Sequence, residues 1–582
     1  MTAATLTAAP SRGAAGAGER LLPLALLGVA AVLVLGPLLT ILLDTLDADG
    51  RAAWAAVLAS DLSHNLFWRP LGNTLVLGIA TAMGCVILGG FLAWLVVMTD
   101  VPFRTTIGVL ATLPFMIPSF ATALAWGALF RNERVGGSVG FLETIGIAVP
   151  DWLAWGMVPT VTVLVLHYFS LTFTVIAAAL ASVNGDLVEA AEMAGARLRR
   201  IFFGIILPVV TPAVVAGASL AFAGAVSAFA APALLGLPVR MQTLATRLFG
   251  MFETGQSERG FVLAILLILV SVALLYAGER LLSGRKSFVT ITGKGGRAKR
   301  FALGRARWPL FAVAAAILAV STVVPVLVLL ASSLAPQSGA LLSNWTLHFW
   351  VGASDPAFAQ GQVGIFRNPD LMRALWMTLG LGLTVAGTAT LLGLAIAFVI
   401  ARHRHSLIAR ALGQISFVPM LIPGIAFGAA YIALFGAPIG PLPALYGTFA
   451  LLVLAATAYL LPFAVQSGRS VMGQVAGDLD ESARLTGAGF LRRLLAITVP
   501  LTIRGLIAGA LLVFVKIVRD LGLVVVLFTS TSPVLTVLAF RYANEGFLQY
   551  AHGITLVILL VSLAATILAQ RLQDRTQPWR AA

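Results

Sequence analysis

Gly185-Asp186-Leu187-Val188-Glu189-Ala190-Ala191 recurs 292 residues later as Gly477-Asp478-Leu479-Asp480-Glu481-Ser482-Ala483, and this repetition governs how the rest of the chain is read. The same offset carries Gly195 onto Gly487, Ile205 onto Ile497 and Pro208 onto Pro500, so eight positions agree without a gap. A second set of matches, Pro114 and Pro118 against Pro419 and Pro423, has an offset of 305, because the loop that follows is shorter in the second copy. The chain is an internal duplication.

Each copy is set in strongly apolar sequence. Of 582 residues 59% are hydrophobic and 10% charged, and the mean hydropathy is +0.98, which sets the chain apart from soluble domains. Crossing a bilayer takes about 20 helical residues. Six runs long enough are predicted in the first half, Leu21–Leu43, Thr74–Met98, Ile107–Phe130, Trp155–Ala181, Leu207–Leu235 and Phe261–Leu281. The second half supplies Leu310–Ala331, Trp376–Val399, Ala411–Phe435, Tyr446–Gln466, Leu506–Phe528 and Ile554–Ala569. These runs are apolar on every face, unlike the alternating strands of a barrel, and a helix satisfies its own backbone in lipid. The expected fold is an all-α polytopic membrane protein with about 12 transmembrane helices. An even number of helices per copy leaves the two halves parallel, related by an axis along the membrane normal.

The first run is too long for a signal-peptide core and lacks a clear cleavage site, so it reads as the first spanning helix. The connector from Arg280 to Arg307 holds nine Lys and Arg, which places it, and with it both termini, on the cytoplasmic side. The formal charge of +15 is then a topology signal spread over short loops and not a nucleic-acid surface. Expected boundaries are a cytoplasmic tail over 1–20, a first half over 21–284, a basic linker over 285–307, a second half over 308–570 and a tail over 571–582. Cys85 is the sole cysteine, so no intramolecular disulfide or Cys-rich metal site can form.

The repeated loop makes sense as a short cytoplasmic helix. Asp186 and Asp478 are expected as N-caps with Glu189 and Glu481 at the third position, close to a capping box, and Gly195 and Gly487 suit a left-handed C-cap. Two turns of helix are unstable alone in water, so a partner must hold each one. Ala190, Ala191 and Ala194, and Ser482 and Ala483 in the second copy, are small enough to let that partner approach.

The pattern Glu189-Ala190-Ala191, three residues, Gly195, nine residues, Ile205, one residue, Leu207-Pro208 resembles the signature loop of permease subunits in binding-protein-dependent ABC importers. The second copy keeps Glu481, Ala483, Gly487, Ile497 and Pro500 and departs mildly at Ser482 and Val499. The resemblance covers residues 73–281 and 376–569 and implies a type I importer-like permease in a bacterial inner membrane. In that family the loop is a coupling helix seated in an ATPase subunit. The resemblance therefore implies two ATP-binding cassette ATPase subunits, and a periplasmic or lipid-anchored substrate-binding protein, as partners in the lipid bilayer. Both halves in one chain look like the fused ferric iron and thiamine permeases, and the segments Ser227 to Pro238 and Val518 to Phe540 are nearest the iron type. The nearest phosphate-loop candidate, Gly293-Lys294, is followed by Gly295 and lacks the required pattern. No enzyme activity and no bound cofactor are expected of this chain, with ATP and Mg on the partner subunits.

Intramembrane charges mark cavities or partners. Lys516, Arg519 and Asp520 fall within the eleventh run, where the first half offers Gly224, Ser227 and Ala228. Ser227, Lys516, Arg519 and Asp520 are therefore candidates for the pathway or a gate, set against a purely structural ion pair. Prolines 114, 118, 419 and 423 predict kinks. His403 and His405 lie in a basic loop without a carboxylate, which suits a membrane surface better than a metal. Ferric iron is the preferred solute; cationic groups at Lys516 and Arg519 suit an anionic or chelated cargo, which keeps phosphonate open, and thiamine and polyamine are further alternatives. A secondary transporter of the major facilitator type also has two parallel six-helix halves. It has no use for a repeated docking loop, and the segment Thr99 to Thr106 lacks its Arg-rich Gly-Asp pattern.

Overall fold

A computed structural model describes residues 17–283, 300–473 apart from 343 and 404, and 482–574 apart from 484, 485, 487, 489, 494, 495, 497 and 498. Among the described residues ten helices are long and apolar enough to span a bilayer, or twelve if each of two bent pairs counts as one span. The fold is helical throughout, as the all-apolar runs require.

The expected kinks in the third and ninth runs are full breaks. Arg104–Met116 meets Ser119–Phe130 at 91°, and Leu407–Leu421 meets Gly424–Phe435 at 112°. Proline disfavours helical geometry in the residue before it. Accordingly Ile117 (ψ 126°) and Ile422 (ψ 127°) are extended, and Pro118 and Pro423 cap the helices that follow. The fifth and eleventh runs also differ from single helices. Leu207–Ser227 stops at an extended Ala228 and restarts as Ala230–Leu235, and Val499–Val518 stops before a short Val524–Leu527 helix. Hydropathy averages over such interruptions because the interrupting residues are themselves mostly apolar.

The duplication extends into tertiary detail. In each half the second long helix, Arg69–Met98 or Pro369–Arg402, packs along the fourth, Met157–Ala181 or Phe449–Met472. A Cβ at Gly78 would lie 2.6 Å from the Phe222 ring and 3.0 Å from Val226, and one at Gly382 would lie 2.6 Å from Phe514 and 3.0 Å from Val518. The Thr74 hydroxyl accepts the Leu244 N–H at 2.9 Å, and Thr378 accepts that of Leu535 at the same distance. Small residues at such crossings let helices approach closely in lipid.

The first helix of each half crosses to the other half. Gly36–Asp44 packs on Gly424–Phe435, with the Tyr431 hydroxyl donating to the Leu33 carbonyl at 2.7 Å, while Val324–Leu334 packs on Ser119–Phe130. Each crossing helix carries a π turn, Ala31–Leu35 or Ala319–Val323, just before a proline, Pro37 or Pro325. The missing proline N–H accounts for the local loosening.

Candidate functional site: two repeated loops and a charge cluster between the halves

The first loop is a helix over Gly185–Met193. Its cap is Asn184 and not Asp186, a correction to the expected capping box. The Asn184 side chain accepts the Asp186 N–H at 2.9 Å, so the helix starts one residue after Asn184 and its third position is Leu187, which cannot reach back. Asp186 instead lies in the first turn, where a carboxylate complements the helix dipole. The other end is as expected. Gly195 adopts φ +77°, its N–H donates to Glu192 at 2.8 Å, and the Ala196 N–H donates to Ala191 at 3.0 Å. That pair of bonds is a Schellman closure, whose left-handed residue favours glycine.

Val188 is fully buried and anchors the helix, whereas Asp186, Glu189, Ala190 and Leu187 face outward and Met193 is 85% exposed. In the second loop Asp478, Glu481 and Gly487 lie outside the described residues. Ser482 and Ala483 are helical, with Ser482 exposed, and the Ala488 N–H donates to Ala483 at 3.0 Å, the counterpart of the Ala196–Ala191 bond. Pro208 follows the π turn Phe202–Ile206 inside the span Arg199–Ser227, as Pro37 and Pro325 follow theirs, and Pro500 is the second residue of Val499–Val518. The first loop thus leads, through Leu198–Ile201, into a long spanning helix.

The second cluster lies where the halves meet. Lys516 is in the last turn of its helix, and Arg519 and Asp520 fall in the break that follows it, not inside a continuous helix. Arg519 reaches across to the first half. Its Nη1 donates to the Phe115 carbonyl at 3.1 Å and also to that of Met116, while its Nε donates to Val515 at 3.2 Å. Phe115 and Met116 end the first member of the broken helix pair, so their carbonyls form its negative pole. Asp520 accepts the Leu523 N–H at 2.7 Å and so holds the turn into Val524–Leu527.

Among the described residues no salt bridge within 4.0 Å joins Asp520 to Lys516 or Arg519, although the carboxylate lies near enough to act on both cations electrostatically. Ser227, the counterpart of Arg519, ends its helix half-buried and engages no described partner.

Lys516 is different. Its Nζ sits 3.8 Å from the Phe463 ring centre and 5.9 Å from that of Phe115. A cation over an aromatic face gains up to about 2 kcal/mol, less than the several kcal/mol that removing an ammonium from water costs. The opposite position in the first half is filled by the Tyr168 ring, whose hydroxyl donates to the Gly224 carbonyl at 3.1 Å. Sequence reasoning missed Phe115, Tyr168 and Phe463, since aromatic residues in apolar runs carry no signal until their neighbours are known. Only the adjacency of Phe115 to Pro114 could have hinted at it.

Comparison with known proteins places this arrangement. The family model described as "Binding-protein-dependent transport system inner membrane component" matches residues 85–288 and again 389–580. The Ferric transport system permease protein FbpB of Actinobacillus pleuropneumoniae is 23% identical over 543 residues, 88% of this chain and 73% of that protein. A probable ABC transporter permease protein, y4fN, of Sinorhizobium fredii is 26% identical over 86% of this chain and 87% of its own length. A probable sulfate transport system permease protein, cysT, of Chlorokybus atmophyticus is 26% identical over 38% of this chain and 78% of its own length. With one copy of the domain in each half, the chain belongs to the family of binding-protein-dependent transport system inner membrane components and is an ABC importer permease with both halves in one polypeptide.

Proposed function

We propose that this permease forms the pathway through which ferric iron, handed over by a substrate-binding protein, enters the cell at the expense of ATP hydrolysed by two partner subunits. The observation that carries this reading is the pair of loops closed by the same hydrogen bond, at Ala191 and Ala483, in a chain whose ferric relative matches it across both halves. Each loop presents an outward face to one ATPase, which holds ATP and Mg, and both termini are cytoplasmic.

Closing the ATPase dimer draws the two loops together and, through Met157–Ala181, Leu207–Ser227 and their counterparts, opens the pathway outward. Such a shift requires that the ATP-bound dimer bind the outward state more tightly than the inward one. Arg519 acts as a gate element, because its bonds to the Phe115 and Met116 carbonyls tie one half to the other. A sulfate-type oxyanion is the second reading, favoured by the cationic pair Lys516 and Arg519 and by the relative that spans one half.

The test is reconstitution of the chain with its ATPase and binding protein in proteoliposomes. Ferric-loaded binding protein should stimulate ATP turnover and 55Fe uptake. Stimulation by sulfate with none by iron would replace the solute, and no association with an ATPase would overturn the coupling-loop assignment.

A further inference from the structure

The chain has four lysines against 34 arginines. Three of them, Lys286, Lys294 and Lys299, belong to the basic linker, and the fourth is Lys516. Everywhere else in the transmembrane halves a positive charge is an arginine. The single lysine stands at the meeting point of the two halves.

Three charges lie close together where the halves meet, and two of them are hydrogen-bonded by the protein. Arg519 is held by the carbonyls of Phe115, Met116 and Val515, and Asp520 by the Leu523 N–H. Lys516 has no hydrogen-bond acceptor among the described residues; its Nζ lies over the faces of Phe463 and Phe115, with Asp520 acting on it through space and not by direct contact, and the residue keeps part of its surface open. A permanent structural ammonium would be paired. Pseudo-symmetry offers no second charge, since Gly224 and Tyr168 fill the matching place. For a bare cation the setting is unfavourable: two positive side chains stand against a single carboxylate, one of whose oxygens already accepts the Leu523 N–H, and among the described residues no three His, Cys, Asp or Glu gather to bind a metal ion.

We infer that the free ammonium of Lys516 is a transient binding point for an anionic group on the solute, so that the cargo crosses as an anion or as a metal ion wrapped in anionic ligands. The inference rests on the import reading and narrows its substrate class. Ferric iron would pass with an oxyanion or carboxylate still attached, and a sulfate-type solute would use the same ammonium directly. The Phe463 and Phe115 rings hold the ammonium without neutralising it, which lets an anion bind and leave.

The experiment uses the full chain with its ATPase and binding protein in proteoliposomes, the binding protein loaded from ferric [14C]citrate as the sole chelating anion, with 55Fe and 14C uptake counted together. A parallel arm supplies [35S]sulfate. The expected result is 14C entering with 55Fe in at least equimolar amount, or 35S uptake, with Lys516→Gln reducing uptake tenfold or more and Lys516→Arg within a few-fold of wild type. Co-purification of each variant with the ATPase verifies that it folds, and loss of a buried charge favours folding of the Gln form. Iron entering without citrate, or Lys516→Gln transporting as well as wild type, would overturn the inference while leaving import intact. Wild-type chain that shows no solute-stimulated ATP turnover would overturn the import reading itself.

Discussion

Replacing Arg519 by leucine tests how far one side chain joins the two halves. The guanidinium donates to the carbonyls of Phe115 and Met116 in the opposite half and to Val515 in its own helix. Leaving a buried carbonyl without a donor costs about 1–3 kcal/mol, and this variant strips the two part-buried ones in the opposite half of theirs. Removing a partly buried guanidinium returns some desolvation energy, so the net loss is about 2–4 kcal/mol.

The chain supplies its own reporter. Cys85 is the sole cysteine, is fully buried, and packs with its thiol directed at the Val165 carbonyl at 3.7 Å. A thiol-reactive fluorophore therefore reads unfolding of the first half, although the substitution is in the second. Arg519→Leu should lower the temperature at which Cys85 becomes reactive, and Arg519→Lys, which keeps the charge but not the fork, should fall between it and wild type. If Arg519→Leu exposed Cys85 at the wild-type temperature, the guanidinium would not be joining the halves.

Gly78→Ala and Gly382→Ala should each destabilise by about 1–3 kcal/mol through overpacking, by similar amounts because each Cβ meets a phenylalanine ring at 2.6 Å. The same thermal assay checks this. Asn184→Ala removes the cap of the Gly185–Met193 helix and should raise hydrogen exchange at its first amides, consistent with a loss of about 1 kcal/mol, with Asn184→Asp restoring it. Met193→Asp alters a side chain that is 85% exposed. It should leave the chain's stability within about 0.5 kcal/mol and abolish retention of the ATPase in a pull-down. Normal retention would remove Met193 from the docking face.

Much of this was legible without coordinates. The apolar runs announced spanning helices because lipid leaves the backbone no other way to bond, and Gly195 announced its left-handed turn because few other residues adopt it without strain. Asp186 misled because Asn184, two residues earlier, is an equally good cap, and local spacing does not rank one against the other. The breaks at Pro118 and Pro423 were read as kinks for a related reason. A proline marks where a helix is weakened, but whether the chain bends by a little or by 91° or 112° depends on what packs into the gap.

Composition and repetition were enough to establish a helical membrane protein of two repeated halves, since hydropathy and helix length are properties of neighbours along the chain. The crossing of the first helices between halves, the Arg519 bridge to Phe115 and Met116, and the lone ammonium of Lys516 over Phe463 emerged only from packing. Each depends on residues more than forty positions apart meeting in space. No local preference of the chain encodes such a meeting, because it is set by how whole helices cross.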